Sequence, residues 1–253
     1  MTVRESLKVK LTIAYDGAGY AGWQVQKVGR GVQEVVEEAF TKLFQAHYRL
    51  HSSSRTDAGV HARGMVAHLE LPREKLKMPI GKLSLALNAQ LPADVRVMQI
   101  EEAAPDFHAR FNAKGKQYRY FIYNYPAMDP LLRQYAWHVP QKLNFAEMKR
   151  ATSHFIGKKD FASFANNRSY EMVTTVRTLR RCDLRKSGPL LSFVIEGDGF
   201  LYKMCRGIVG TIIQAGQGKF TSTEIAKMLE SKDRRMAGMT APAHGLILWK
   251  VFY

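Results

Sequence analysis

The period of the apolar residues changes repeatedly along this chain, and that alternation restricts the folds open to it. From Leu7 to Tyr15 the pattern has a period of two, with Leu11, Ile13 and Tyr15 on one face, until Asp16-Gly17-Ala18-Gly19 stops it. Val32, Val35, Val36, Ala39, Phe40, Leu43 and Phe44 then fall at helical spacing and form one stripe. Strands are predicted again at Met65–Leu71 and Val95–Ile100, with a helix over Leu76–Leu87 that Pro79 interrupts or starts late. The second half resumes the same alternation. Its strand Lys116–Tyr125 is followed by a helix around Phe145–Phe155, with Asn144 and Glu147 at capping-box spacing. A hairpin is predicted from Val173–Leu184 and Leu190–Glu196 about Ser187-Gly188-Pro189. The helix Tyr202–Ile213, a shorter one capped by Thr221 and Glu224, and a strand Leu246–Tyr253 complete the series. Two such halves, mixing antiparallel-type strands with helices on one side, predict an α+β protein whose large sheet is shared by two related subdomains. Ala103-Ala104-Pro105 breaks the pattern, so the subdomains are expected at 1–105 and 106–253.

Charge bounds the partner. There are 38 Lys and Arg against 22 Asp and Glu, a net charge of +16. Residues 1–126 carry 18 against 12 (+6) and residues 127–253 carry 20 against 10 (+10), so the excess belongs to the body and not to a tail. A field of this sign concentrates polyanions, and nucleic acid is the expected partner. No apolar run reaches the ~18 residues of a membrane span, and the opening passes straight into a strand pattern with no signal peptide. Cys182 and Cys205 are too few for a disulfide framework or a sulfur-ligated zinc site and read as reduced thiols of a cytosolic protein.

Basic and aromatic residues interleave where an unstacked base needs both a backbone clamp and a ring: Arg110, Lys114, Lys116 and Arg119 among Phe107, Phe111, Tyr118 and Tyr120. Tyr120 reads more simply as a sheet residue. Arg177, Arg180, Arg181, Arg185 and Lys186 form a second basic patch suited to backbone contacts. The Gly-rich segment Asp16–Trp23 lacks the Gly-Lys-Ser/Thr end of a P-loop and the spacing of a dinucleotide fingerprint. It reads as a rim loop, with Trp23 and Gln24 facing substrate. His51, Asp57, His61 and His68 have no clean metal-ligand spacing, and no metal is expected. Glu196 and Asp198 more simply end a strand before Gly199 than form a glycosidase pair.

A single acid, Asp57, stands in the loop His51-Ser-Ser-Ser-Arg-Thr-Asp-Ala-Gly-Val-His-Ala-Arg63 among basic and small residues. An ionised carboxylate, positioned and partly dehydrated, can attack an electron-poor carbon. Arg55 or Arg206 can keep it ionised through a charge-assisted bond. Residue chemistry alone leaves two readings open, a nucleophile or a structural Asp in an Asx-type turn.

Landmarks along nearly the whole chain carry a resemblance. They are Tyr15-Asp16-Gly17, Gly22-Trp23-Gln24, Arg55-Thr56-Asp57-Ala58-Gly59-Val60-His61-Ala62, Leu91–Arg96, Phe107–Phe111, Lys116–Tyr120, Asp160–Phe164, Gly199–Arg206 and Thr240–Leu246. In this order the chain resembles the bacterial tRNA pseudouridine synthases of the TruA family. The resemblance implies a pseudouridine synthase fold of two ferredoxin-like subdomains and the isomerisation of uridines at positions 38, 39 and 40 of the tRNA anticodon stem-loop. It implies no metal or organic cofactor, a cytoplasmic homodimer and a tRNA lying across both subunits. By the same resemblance Asp57 is the nucleophile, Tyr118 the tyrosine that stacks on the target base and is implicated in proton removal, and Arg206 the arginine that pairs with the aspartate. Arg55 helps hold RNA and the flipped nucleotide, and Trp23, Gln24, His61, Arg110 and Lys116 join it as expected substrate-binding residues. Two positions depart from the family pattern: Ser54 stands where a glycine is usual, and Gly207 where an asparagine is common.

Overall fold

The structure is a computed structural model, and it describes residues 6–166 and 174–253. The opening segment 1–5 and Val173, expected to begin a strand, lie outside the described residues. In chain order the elements are β1 (Ser6–Tyr15), α1 (Val32–Phe44), β2 (His51–Ser52), β3 (His61–Pro72), α2 (Ile80–Asn88) and β4 (Val95–Glu102). They continue with β5 (Gly115–Tyr123), β6 (Trp137–His138), α3 (Phe145–Ser153), β7 (Gly157–Asp160), β8 (Val176–Ser187) and β9 (Leu190–Gly197). The last are α4 (Met204–Gly216), α5 (Ser222–Ser231) and β10 (Leu246–Phe252). The class is α+β, and the strand pairing is mixed because β6 runs parallel to β5 while the other registered pairs are antiparallel.

The chain divides into two compact units, one of residues 1–114 with 248–253 and one of residues 115–247. In the first unit β1 lies between β4 and β3, with β2 also on β3. The period-two pattern of β1 buries Leu7, Val9, Leu11, Ile13 and Tyr15, and the α1 stripe buries Val32, Val35, Val36, Ala39, Phe40 and Phe44. Pro79 does not interrupt α2. It stands at the N-cap, where its fixed φ and missing N–H cost nothing.

Residues 106–114, expected with the second subdomain, pack with the first unit. The Tyr253 hydroxyl donates to the Ala109 carbonyl (2.7 Å), the Ala109 N–H donates to His68 Nδ1 (3.2 Å), and the Lys114 N–H donates to the Phe252 carbonyl (2.8 Å). The Phe107 ring lies 5.1 Å from that of Tyr253. The returning C-terminal strand is what holds this segment, a contact that no local pattern encodes.

In the second unit the strand order is β5-β9-β8-β7, with β6 beside β5. The β8–β9 hairpin turns at Gly188-Pro189, with Ser187 opposite Leu190 and Gly188 at φ +56°. Asn144 caps α3 as expected, its side chain accepting from the Glu147 N–H (3.1 Å). Glu147 does not close the box: its carboxylate takes the Ser222 N–H (2.6 Å) and Arg150 instead, tying α3 to the start of α5. Thr221 and Glu224 do form a full capping box on α5. The short strands β2, β6 and β7 escaped the sequence reading because two to four residues cannot establish a period.

Candidate active site

Asp57 belongs to the first unit, and its loop is braced from three directions. The Tyr15 and Thr56 hydroxyls share a buried hydrogen bond of 2.7 Å. The Trp23 N–H donates to the Thr56 carbonyl (3.1 Å), so the backbone on the N-terminal side of Asp57 is pinned to the glycine-rich loop. On the other side the Val60 N–H closes a turn on the Asp57 carbonyl (3.1 Å), with Gly59 at φ +75° where an L side chain would be strained.

The glycines of the 16–23 loop make this approach possible. A Cβ at Gly17 would lie 2.1 Å from the Val60 carbonyl oxygen. One at Gly22, itself at φ +104°, would lie 2.5 Å from the Thr56 carbonyl oxygen and 3.1 Å from the Asp57 carbonyl carbon. The Tyr20 hydroxyl donates to Asp94 (2.7 Å), closing the loop over the start of β4. An Asx-type turn is made by Asp16, whose carboxylate accepts the Ala18 N–H (2.9 Å).

The five expected contact residues of this unit fall in different places. His61 is 3% exposed, and its Nδ1 accepts the Gly17 N–H (3.0 Å), with Asp16 Oδ1 also at 3.0 Å. It anchors the rim loop. Trp23 is 1% exposed and packs in the core, with its ring 6.0 Å from that of Tyr15. Gln24 is exposed, as are Arg55 and Arg110. Arg110 sits at the edge of the segment that His68 and Tyr253 hold, with its guanidinium 5.8 Å from the Phe111 ring. Beneath it His51, His68 and His108 cluster, their rings 4.7 to 5.9 Å apart. Burial and the neighbouring His108, His51 and Lys8 hold His68 down to about 4. Among the described residues no group of three His, Cys, Asp or Glu has metal-binding geometry.

Ser54 carries a second peculiarity of this loop. Its hydroxyl is buried and has no hydrogen-bond partner among the described residues, although Ser52 Oγ donates to its carbonyl (2.8 Å). Its φ is not positive, so the backbone here does not require the glycine usual at this position.

Tyr118 and Arg206 belong to the second unit. Tyr118, on β5 opposite Ile195, is 7% exposed and meets Phe200 edge to face with ring centroids 5.0 Å apart. Two residues on, Tyr120 is fully buried, and its hydroxyl donates to the Pro242 carbonyl (2.8 Å), the sheet role expected of it. Burial raises the Tyr120 phenol well above its ordinary range, with nearby Arg206 opposing. Lys116 is half-buried on the same strand, opposite Gly197.

Arg206 lies in the first turn of α4. Its Nε donates to the Ala241 carbonyl (2.7 Å) while its own carbonyl accepts the Ala241 N–H (3.0 Å), so the guanidinium is oriented by the 240–245 segment. Gly207 lets α4 pass close to Phe164: a Cβ there would lie 3.1 Å from the Phe164 carbonyl oxygen. Asp198 accepts the Thr178 N–H (3.0 Å) and Glu196 accepts from Gln117 (3.2 Å), so both acids terminate the hairpin as expected. Arg180 is the extra residue of a bulge between Leu179 and Arg181, its guanidinium lies beside Gly115, and Arg181 pairs with Asp183.

The sequence pattern of the tRNA pseudouridine synthase family matches residues 11–112 and 151–253. The chain belongs to this family. Both braced segments, the Asp57 loop and the first turn of α4, fall inside the matched ranges. The tRNA pseudouridine synthase A of Acetivibrio thermocellus is 45% identical over 245 residues, covering 97% of this chain and 99% of the relative. That of Bacillus subtilis is 45% identical over 249 residues, covering 98% and 99%. That of Pelobacter propionicus is 44% identical over 246 residues, covering 97% and 99%. The aspartate-dependent isomerisation of uridine in tRNA, without a cofactor, is the activity of a family member matched along its length.

Proposed function

We propose that the chain converts uridine to pseudouridine at positions 38, 39 and 40 of the anticodon stem-loop, with Asp57 as nucleophile. The bracing of the Asp57 loop carries this reading: three polypeptide segments converge on one acid-bearing turn, more constraint than an exposed surface turn requires. A target uridine must first leave the helical stack, at a cost of roughly a few kcal/mol, which phosphate contacts from Arg55, Arg110 and Lys116 offset. Asp57 attacks the nucleotide at ribose C1′ or uracil C6, and the glycosidic C1′–N1 bond breaks. Uracil turns in place, C5 bonds to C1′, the bond to Asp57 breaks and frees its carboxylate, the C5 proton leaves and N1 is protonated, so product and substrate have the same atoms and the enzyme is regenerated. Tyr118 stacks on the base and receives the C5 proton, directly or through water, a role supported by the family resemblance. Arg206 is the cation that pairs with the Asp57 carboxylate.

The two similar halves, read as ferredoxin-like subdomains, belong to the same proposal, as do a cytosolic location and a homodimer carrying tRNA across both subunits. No helix among the described residues is long and apolar enough to cross a membrane.

Incubation of the purified protein with unmodified tRNA transcripts, followed by position-resolved pseudouridine mapping, tests the reading. Pseudouridine is expected at 38–40 and unaffected by EDTA. Asp57→Asn is expected to abolish it while leaving tRNA binding within about twofold; a wild-type protein that binds tRNA and forms no pseudouridine refutes the proposal.

A further inference from the structure

A cavity of about 280 Å³ opens in the first unit between the segment after Trp23, helix α1 and the approach to β2, lined by Gln24, Val25, Gln33, Glu37, His47 and Arg49. Glu37 is the unusual member. It is a carboxylate only 7% exposed, and its Oε1 accepts both the Gln33 side-chain amide (2.8 Å) and the Leu50 N–H (2.8 Å). Gln33 spends its amide nitrogen on Glu37 and on the Leu50 carbonyl (3.3 Å). Glu37 Oε2 and Gln33 Oε1 therefore have no donor among the described residues, and both side chains line the cavity. Neither atom is among the enclosed unpartnered ones, so both are open to solvent and available to a ligand's donors. The exposed Arg49 and His47 supply cationic or donor groups at the rim.

We infer that this cavity is an accessory nucleotide subsite, taking from the bound tRNA a base that carries an exocyclic amine, with its phosphate toward Arg49. The inference rests on the tRNA reading above. The volume is at the lower end for small-molecule sites and suits one base. Guanine, adenine and cytosine each present N–H donors to a pair of acceptors, whereas uracil presents one N–H flanked by two carbonyl oxygens, which the carboxylate repels. The subsite thus differs in preference from a uridine-processing centre. It shares a segment with the Asp57 loop: the Gln33 N–H donates to the Trp23 carbonyl (2.9 Å), and Trp23 in turn holds Thr56 (3.1 Å).

Val25→Trp, at a rim residue 45% exposed, would fill the cavity from its mouth, and Arg49→Ala would remove its cation without disturbing the core. Steady-state pseudouridine formation on one tRNA transcript should show KM raised about fivefold in each variant, with kcat within about twofold of wild type. Saturation-transfer NMR with GMP, CMP and UMP should show GMP and CMP contacts that V25W removes, and UMP contacts that it does not. Unchanged KM in both variants, or V25W-sensitive UMP binding equal to that of GMP, overturns the inference. Because wild-type turnover is measured alongside, an active wild type with unaffected variants sinks only the subsite, whereas an inactive wild type sinks the parent reading.

Discussion

Gly22→Ala probes whether the glycine-rich loop positions the nucleophile. Gly22 has φ +104°, a conformation that costs an L residue roughly 1–3 kcal/mol. The added methyl would begin 2.5 Å from the Thr56 carbonyl oxygen, where about 3.2 Å is the closest comfortable approach. Either the Thr56–Ala58 backbone retreats by roughly 0.7 Å or the Trp23–Thr56 hydrogen bond of 3.1 Å is lost, at about 1 kcal/mol. Together these put the destabilisation at about 2–4 kcal/mol, which for a chain of this length lowers Tm by roughly 5–15 °C. Displacement of a reacting group by ~1 Å costs on the order of 100-fold in rate. Asp57 moves with Thr56, so kcat should fall by about 10- to 100-fold while KM for tRNA changes by less than about threefold. Thermal denaturation by circular dichroism gives the first quantity, and single-turnover tritium release from 5-³H-uridine tRNA the second. Gly19→Ala is the control, since its Cβ would meet nothing within 4 Å and its φ is not positive; it should leave both quantities at wild-type values. A Gly22→Ala protein that loses stability but keeps its kcat would refute the positioning argument, because the same displacement would then have left Asp57 in register.

Two further perturbations test the environment of the loop. Ser54→Ala removes the buried hydroxyl that has no partner among the described residues and should stabilise the protein by about 1 kcal/mol; a lowered Tm would mean that this hydroxyl is satisfied in solution. His68 has a folded pKa of about 4 against 6.5, so below 6.5 the unfolded chain binds the extra proton, and the stability His68 contributes is fully present above 6.5 and lost as pH falls toward 4. Denaturation midpoints measured from pH 7 to 4 should fall with a slope of up to about 1.4 kcal/mol per pH unit from this residue, and His68→Gln should flatten that slope; equal slopes in the two proteins would show that His68 does not carry the dependence.

The sequence alone determined whatever depends on local period and capping. The alternation in β1, the α1 stripe, the Thr221–Glu224 box and the Gly188-Pro189 turn each state their structure within a dozen residues, because side-chain direction follows directly from a period of 2.0 or 3.6. It also determined the family, since the landmarks lie in order, and it singled out Asp57 as a lone acid among bases. Its bottom-up chemistry stopped there, leaving nucleophile and turn residue both open.

Tertiary structure decided which polar and aromatic residues are available. Trp23 and His61 look like contact residues in a glycine-rich or acid-bearing loop, yet burial turns one into core and the other into the acceptor for the Gly17 N–H. Residues 106–114 pack with the first unit because the C-terminal strand, more than 130 residues away, supplies their partners. The Glu37–Gln33 cavity had no sequence signal, since a glutamate on an amphipathic helix reads as a solvated face until Leu50 is seen to donate to it. Long-range hydrogen bonds and close glycine approaches join segments that carry no mutual pattern in the chain. The braced loop around Asp57, built from Tyr15, Trp23, Thr56 and two glycines, is therefore legible only in three dimensions.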